Sequence, residues 1–88
     1  MIRSIAAGLS VLNLFAYTGG FSIHAALGGA SGVDSVDIAA PATRATLANA
    51  ELSGVRTSVR AHAADAFAYL KAARAQGRAW DLVIVDPP

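Results

Sequence analysis

The chain has 88 residues, of which 55% are hydrophobic and 15% charged, with seven Lys and Arg against six Asp and Glu and no cysteine. This composition is typical of a soluble globular segment, and it excludes a disulfide framework, a thiolate zinc site and a cysteine nucleophile within these residues. The net charge of +1 argues against a polyanion-binding face that covers the whole chain. We therefore expect one small domain or a part of one, without a metal site.

The apolar runs of the chain are short, and residues 82–85 form one of the longest. A membrane-spanning helix needs roughly 20 apolar residues, so no membrane partner is expected. A short apolar stretch near the N-terminus is interrupted at Gly8 and Ser10 and lacks a small-residue cleavage site, which argues against a secretory signal. The sequence predicts a cytoplasmic protein.

The first half of the chain alternates strands and helices. Residues 11–15 are an apolar run that predicts a strand, residues 16–20 a glycine-containing turn, and residues 21–27 a helix. Residues 33–37 predict a second strand that ends on a carboxylate, and a second helix follows over residues 41–53, where a proline suits the first turn. The residues at helical spacing that should form the buried stripe of this helix are Ala45, Ala48 and Leu52.

The second half repeats the alternation. Residues 57–61 predict a third strand, although it contains a single large apolar side chain, and Asp65 caps a third helix that ends at Gly77. Residues 81–86 are a β-branched run bounded by acids, typical of a strand buried on both faces, and two prolines end it. The side chains expected to share the buried side of the third helix are Phe67, Leu70 and Arg74.

The resulting order βαβαβαβ predicts an α/β fold with a parallel, Rossmann-like sheet and right-handed crossovers. In such sheets ligands bind outside the carboxyl ends of the strands. The residues that the predicted strands place at these ends are the turn from Tyr17 to Gly20, Asp37, Asp65, and Asp86 with Pro87 and Pro88.

Each of these features has a chemical interpretation and a purely structural alternative. The glycines of the first turn let the backbone approach a ligand closely, although a tight turn alone also needs them. Asp37 could accept the hydroxyl hydrogens of a ribose, or it could be a solvated acid or an indirect helix cap. Asp65 could accept a hydrogen bond from the exocyclic amine of a purine, or simply cap its helix. The two prolines after Asp86 freeze a turn whose carbonyl groups can accept a hydrogen bond from a substrate group, or they could form a bare turn.

The glycine spacing separates two classes of cofactor. A dinucleotide-binding Rossmann module would use G-x-G-x-x-G to hold a pyrophosphate, whereas this chain offers only Gly19-Gly20 followed by Phe21. The pattern therefore favours a cofactor without phosphates, such as S-adenosyl-L-methionine (SAM), and keeps the dinucleotide module as the alternative.

The stretch at residues 13–20, N-L-F-x-Y-T-G-G, together with the segments around Asp37, Asp65 and residues 81–88, resembles the class I SAM-dependent methyltransferases that modify bacterial large-subunit ribosomal RNA. The resemblance is strongest to the branch that methylates C5 of cytosine, with a guanine-methylating relative close behind. It implies that Asp86, Pro87 and Pro88 lie between the cofactor and the target base. It also implies a cofactor site formed by Ala16, Tyr17, Thr18, Gly19, Gly20, Asp37, Ile38, Asp65 and Ala66.

The resemblance also implies that further parts of the family's proteins lie outside these residues. Relatives carry an RNA-binding domain before this segment and further strands after it, so residues 1–10 are expected to be a lead-in and residues 11–88 an incomplete SAM-binding part of the N-terminal half of the methyltransferase domain. The family's strand order, three-two-one-four, would leave residues 82–85 at an unpaired edge that invites self-association. Ribosomal RNA would be bound through parts absent from these residues, and the fragment would be inactive alone or persist only as a non-catalytic associating domain.

Two smaller expectations concern caps and charges. Ala39 and Ala40 precede the second helix where relatives often have a hydroxyl cap, at a cost of ~1 kcal/mol. His24 and His62 are expected to be structural. The basic residues expected to form a solvated surface and not an RNA track are Arg44, Arg56, Arg60, Lys71, Arg74 and Arg78.

Overall fold

A four-stranded parallel sheet forms the centre of residues 7–15 and 19–85, the part of the chain that the computed structural model describes. The strand order β3-β2-β1-β4 confirms the predicted α/β fold, its alternation and its strand order. The elements are β1 Ser10–Leu14, α1 Gly20–Leu27, β2 Gly32–Asp37, α2 Ala40–Leu52, a 3₁₀ turn Arg56–Ser58, β3 Val59–Ala63, α3 Ala66–Ala75 and β4 Leu82–Val85.

The helices cover both faces of the sheet. Successive strand residues point to opposite faces, so Val11 packs with Val33 and with α1 and α2 on one face, while Leu12 packs with Val36 and the start of α3 on the other. Parallel strands covered in this way present their carboxyl ends at one edge of the sheet, where a ligand site is expected.

The third strand begins two residues later than predicted, at Val59, because Arg56–Ser58 form the 3₁₀ turn. Its register pairs Val59 with Val33 and Arg60 with Asp34 of β2. One buried apolar side chain in a five-residue segment could not indicate this start from the sequence, because the pairing with β2 decides it.

The predicted stripe of α2 is wrong in phase, and that of α3 is right only at Leu70. In α2 the buried residues are Thr46 and Ala50, while Leu52 is 87% exposed. In α3 Leu70 packs against the cluster that contains Leu12 and Val36, whereas Phe67 is 74% exposed and the buried residues are Ala66 and Ala73. Small side chains let these helices approach the sheet, and helices with many alanines leave the phase of the apolar stripe undetermined by periodicity alone.

The fourth strand is half-exposed and is not buried on both faces as predicted. Val83 and Val85 are 47% and 57% exposed, whereas Leu82 and Ile84 pack against the cluster under α1 and α2. Within the described residues β4 pairs with β1 alone, so the expectation of an apolar edge is confirmed. No helix in residues 7–15 and 19–85 is long and apolar enough to cross a membrane.

A buried carboxylate in the middle of β2 joins β2, β3 and the loop before β4. Asp34, 1% exposed, accepts hydrogen bonds from Arg60 Nε and Nη2 at 2.9 and 3.1 Å, from Arg78 Nη2 at 2.9 Å and from Trp80 Nε1 at 2.9 Å. His62 Nε2 lies 2.9 Å from Asp34 Oδ1. Arg60 and Arg78 stay exposed at the surface as predicted, at 62% and 37%, but they also bind a buried acid, a role that the sequence did not predict. His62 is structural as predicted.

Candidate functional site

A cavity of about 240 Å³ opens at the carboxyl ends of β1, β2 and β3. It brings together four of the predicted cofactor residues, namely Asp37, Ile38, Asp65 and Ala66, and adds Phe15, Val36 and Ala64. The predicted residues Ala16, Tyr17, Thr18, Asp86, Pro87 and Pro88 lie outside the described residues.

Asp37 ends β2 on the cavity wall. Its Oδ1 accepts a hydrogen bond from the backbone N–H of Ala39 at 2.9 Å, which folds the chain into a tight turn before α2. Ala39 itself caps α2 without a side-chain hydrogen bond, as the alanine pair predicted. The turn holds the Asp37 carboxylate at the strand end, so the helix-cap interpretation and a ligand role are compatible.

Asp65 is the N-cap of α3, since its Oδ2 accepts a hydrogen bond from the Ala68 N–H at 2.9 Å. The structural alternative for this residue is therefore observed. Capping uses one of the two carboxylate oxygens, and the same residue lines the cavity. The capping bond thus holds Asp65 at the start of α3, where it lines the cavity.

Phe15 is a cavity residue that sequence reasoning placed in a strand. Its backbone adopts φ 59°, a left-handed conformation that ends β1 and costs of order 1–3 kcal/mol for a bulky side chain. Such strain is concentrated at functional sites, and here it lies directly before the predicted cofactor turn. No sequence signal predicts it, because aromatic residues seldom adopt this conformation.

Glycine stands at positions 19 and 20, at the start of α1, for two different structural reasons. Gly19, with φ 81°, is the N-cap, and a Cβ there would lie 2.6 Å from both Oγ1 and Cγ2 of Thr46 in α2. Among residues 7–15 and 19–85, no heavy atom lies within 4 Å of a Cβ added at Gly20. Gly19 is therefore required by backbone conformation and packing, while Gly20 leaves open space beside the first turn of α1.

The family model of the S-adenosylmethionine-dependent methyltransferases matches residues 1–88. The chain belongs to this family. It is 45% identical over 91 residues to a ribosomal RNA large subunit methyltransferase of Deinococcus radiodurans, and 43% identical over 91 residues to the ribosomal RNA large subunit methyltransferase K of Neisseria meningitidis.

A solved methyltransferase structure, SMU.776 complexed with SAH, superposes on the chain with a TM-score of 0.92 at 41% identity. The match covers 99% of this chain and 23% of that one. The alignments to the Deinococcus and Neisseria relatives likewise cover 99% of this chain but only 22% and 25% of those proteins. The chain thus spans about a quarter of the length of its relatives.

The described residues fit the nucleoside part of SAM, the cofactor of this family. Ile38, an exposed residue of the cavity lining, offers apolar surface for a base, and Asp37 and Asp65 offer acceptors for hydroxyl and amine hydrogens. The cavity of about 240 Å³ is smaller than the ~300–1,000 Å³ of most small-molecule sites. The described residues therefore account for part of a cofactor site.

Proposed function

We propose that this chain is the cofactor-binding segment of a methyltransferase that acts on large-subunit ribosomal RNA, with C5 of a cytosine in 23S rRNA as the target. The observation that carries the proposal is the cavity walled by Asp37 and Asp65, in a chain of the SAM-dependent family. The RNA substrate is supported by the names of the relatives. The cytosine is supported by the N-L-F-x-Y-T-G-G stretch alone.

In this proposal the cavity takes the adenosine of SAM. The Asp37 carboxylate accepts hydrogen bonds from the ribose hydroxyls, and Asp65 accepts one from the exocyclic amine of adenine. Charge-assisted bonds of this kind are roughly twice as strong as neutral ones. Ile38 and Ala66 supply apolar contacts to the ring. The turn from Ala16 to Gly20 takes the methionine end, and the open space at Gly20 supports a close approach there.

The residues proposed to act on the substrate are Asp86, Pro87 and Pro88. The register of β4 pairs Val85 with Leu14 of β1, so the proposed catalytic and cofactor segments begin on adjacent strands. SAM supplies an electrophilic methyl group. Backbone carbonyls before and between the prolines would orient the target base, since a proline removes a donor and leaves its acceptor.

We further propose that the 88 residues alone transfer no methyl group. Methyl transfer needs the target atom aligned with the sulfonium, and such alignment contributes ~7–11 kcal/mol of barrier lowering. The RNA-holding parts would come from the rest of the polypeptide, by analogy with relatives about four times longer. Cytosine C5 is also a weak nucleophile until a thiolate adds to the ring, and the chain has no cysteine.

The exposed apolar edge favours a second behaviour of the isolated chain, association through β4, in which Val83 and Val85 face solvent. An unpaired strand with such side chains is a template for pairing with another copy. In the complete protein we propose action in the cytoplasm, where ribosomal RNA would be its partner.

Calorimetry separates the SAM proposal from the dinucleotide alternative. Protein expressed from its complete gene is titrated with S-adenosylhomocysteine (SAH) and with NAD, and SAH should bind more tightly. Asp37→Ala should weaken SAH binding by ~1–3 kcal/mol, the usual cost of losing a charged hydrogen-bond partner. Asp81→Ala is the matched control, because Asp81 is an exposed carboxylate at the opposite end of the sheet, bound to Ser10. Tighter NAD binding would refute the proposal.

The target base is tested with radiolabelled SAM and unmodified 23S rRNA. Nucleoside analysis should show labelled 5-methylcytidine with the complete protein and no label with the 88 residues. Labelled guanine would place the protein with the other branch, and label transfer by the 88 residues, abolished by Asp86→Ala, would contradict the proposed inactivity.

A further inference from the structure

Three buried polar side chains form a hydrogen-bonded chain on the face of the sheet that α1 covers. Asn13 Nδ2 in β1 donates to Ser22 Oγ in α1 at 2.9 Å, and Ser22 Oγ donates to Ser35 Oγ in β2 at 2.9 Å. Asn13 and Ser35 are register partners on adjacent strands. All three side chains are buried. The Asn13–Ser22–Ser35 chain therefore links three elements at one depth in the core.

This polar chain stabilises the core no more than apolar side chains in the same positions would. Buried polar atoms cost free energy unless they are paired, and Asn13 Oδ1 has no hydrogen-bond partner among the described residues. Apolar side chains of similar shape at the three positions would avoid that cost and are often neutral or stabilising. Stability alone therefore does not explain why polar residues occupy these three positions. Their hydrogen bonds are directional, so they fix the relative position of α1 and the two strands more strictly than apolar contacts would.

The geometry that the chain fixes belongs to the cofactor site. Ser22 is the third residue of α1, directly after Gly20 and Phe21. The first helical hydrogen bond of α1 runs from Ile23 N–H to Gly19 carbonyl at 2.9 Å, so the N–H groups of the preceding turn have no acceptor within the helix. Asn13 lies one residue before the end of β1. The polar chain thus ties the first turn of α1 to the two strands whose ends wall the cavity.

We propose that Asn13 and Ser22 are positioning residues for the cofactor, which they do not touch. They hold the first turn of α1 at a fixed height above β1 and β2, so that its backbone N–H groups meet the methionine end of SAM. This inference rests on the proposed binding of SAM and adds residues that act on it indirectly.

The test compares cofactor affinity with stability in protein expressed from its complete gene. SAH affinity is measured by calorimetry at a temperature where circular dichroism shows each variant folded, and Tm is measured separately. Ser22→Ala removes both hydrogen bonds of the chain and should raise the Kd for SAH about tenfold. The matched control is Val33→Ala, a buried residue of the same sheet face at the other end of β2. It should lower Tm and leave the Kd within about twofold.

A triple variant, Asn13→Leu with Ser22→Ala and Ser35→Ala, removes every partner of the chain at once. It should keep a Tm close to that of the wild type while binding SAH about tenfold more weakly. A merely structural role predicts that affinity follows Tm in all variants, and that result would overturn the inference, as would an unchanged Kd for Ser22→Ala. Failure of the wild-type protein to bind SAH would instead overturn the proposed function and the inference with it.

Discussion

Replacing the buried carboxylate of β2 by its neutral isostere, Asp34→Asn, tests what holds the second, third and fourth strands together. The two Asp34 oxygens carry hydrogen bonds from Arg60, Arg78 and Trp80 and a contact with His62. Asparagine keeps one acceptor oxygen and turns an NH₂ group toward donors. The substitution therefore removes the charge and introduces a donor that faces other donors.

The expected cost follows from the exposure of the partners. Removing one partner of a fully buried ion pair costs about 3–5 kcal/mol. Here the acid is buried but Arg60 is 62% exposed, so its guanidinium regains water when Asp34 is lost. We therefore expect a loss of ~2–3 kcal/mol, which for a domain of this size lowers Tm by about 10–20 °C.

The pH dependence of stability gives a second measure of the same group. Burial raises the pKa of Asp34, but the hydrogen bonds from Arg60, His62 and Trp80 outweigh it and hold the pKa well below its ordinary value. A carboxyl with a depressed folded-state pKa stabilises the protein above the unfolded-state pKa of about 4, and this stabilisation is lost as the pH falls below that value. Thermal denaturation should therefore show the wild type losing more Tm between pH 6 and pH 3 than Asp34→Asn. A Tm loss below about 4 °C at pH 7, or parallel pH profiles, would refute the reasoning.

The remaining predictions concern the glycines of α1 and the edge strand. Gly19→Ala should cost about 2 kcal/mol or more, because alanine disfavours φ 81° and its Cβ would meet Thr46, whereas Gly20→Ala should leave the urea midpoint unchanged and weaken SAH binding. Equal losses of stability in the two variants would contradict the distinction between them. Val83→Lys should reduce self-association of the 88 residues in sedimentation experiments without lowering Tm, since Val83 is half-exposed on the outer strand. Unchanged association would show that β4 is not the contact.

The order of elements was predictable because β1, β2 and β4 contain short apolar runs bounded by glycine, proline or an acid, whereas β3 has a single large apolar side chain. Apart from Leu70, the sequence did not predict which residues of each helix face the sheet. Phe67 looked like a core residue from its size, but α3 packs Ala66 and Leu70 against the sheet and leaves Phe67 74% exposed. The start of β3 was not predictable either, because it depends on the pairing of β3 with β2. Arg60 of β3 pairs with Asp34 of β2, which is distant in sequence.

Part of the site could be predicted for a simple geometric reason. Asp37 and Asp65 follow strands, and the ends of parallel strands meet at one edge, so two acids 28 positions apart come to one cavity. Asp34 gave no such signal, because its partners Arg60 and Arg78 lie 26 and 44 positions later in the chain. Thr46 and Phe15 were hidden as well, since their roles follow from a tight helix contact and an unusual backbone conformation.

Asp34 and Asp37 show how position along one strand decides what a carboxylate can do. Three residues apart on β2, they differ in what the fold brings to them. Arginine and tryptophan side chains reach the middle of the strand from β3 and from the loop before β4, and they commit both oxygens of Asp34 to holding the sheet. Asp37 stands at the carboxyl end, where its Oδ1 bonds a backbone N–H and its residue lines the cavity. The carboxylate in the middle of the strand thus uses its oxygens to bind other parts of the fold, while the carboxylate at the end of the strand lies on a surface that a ligand can reach.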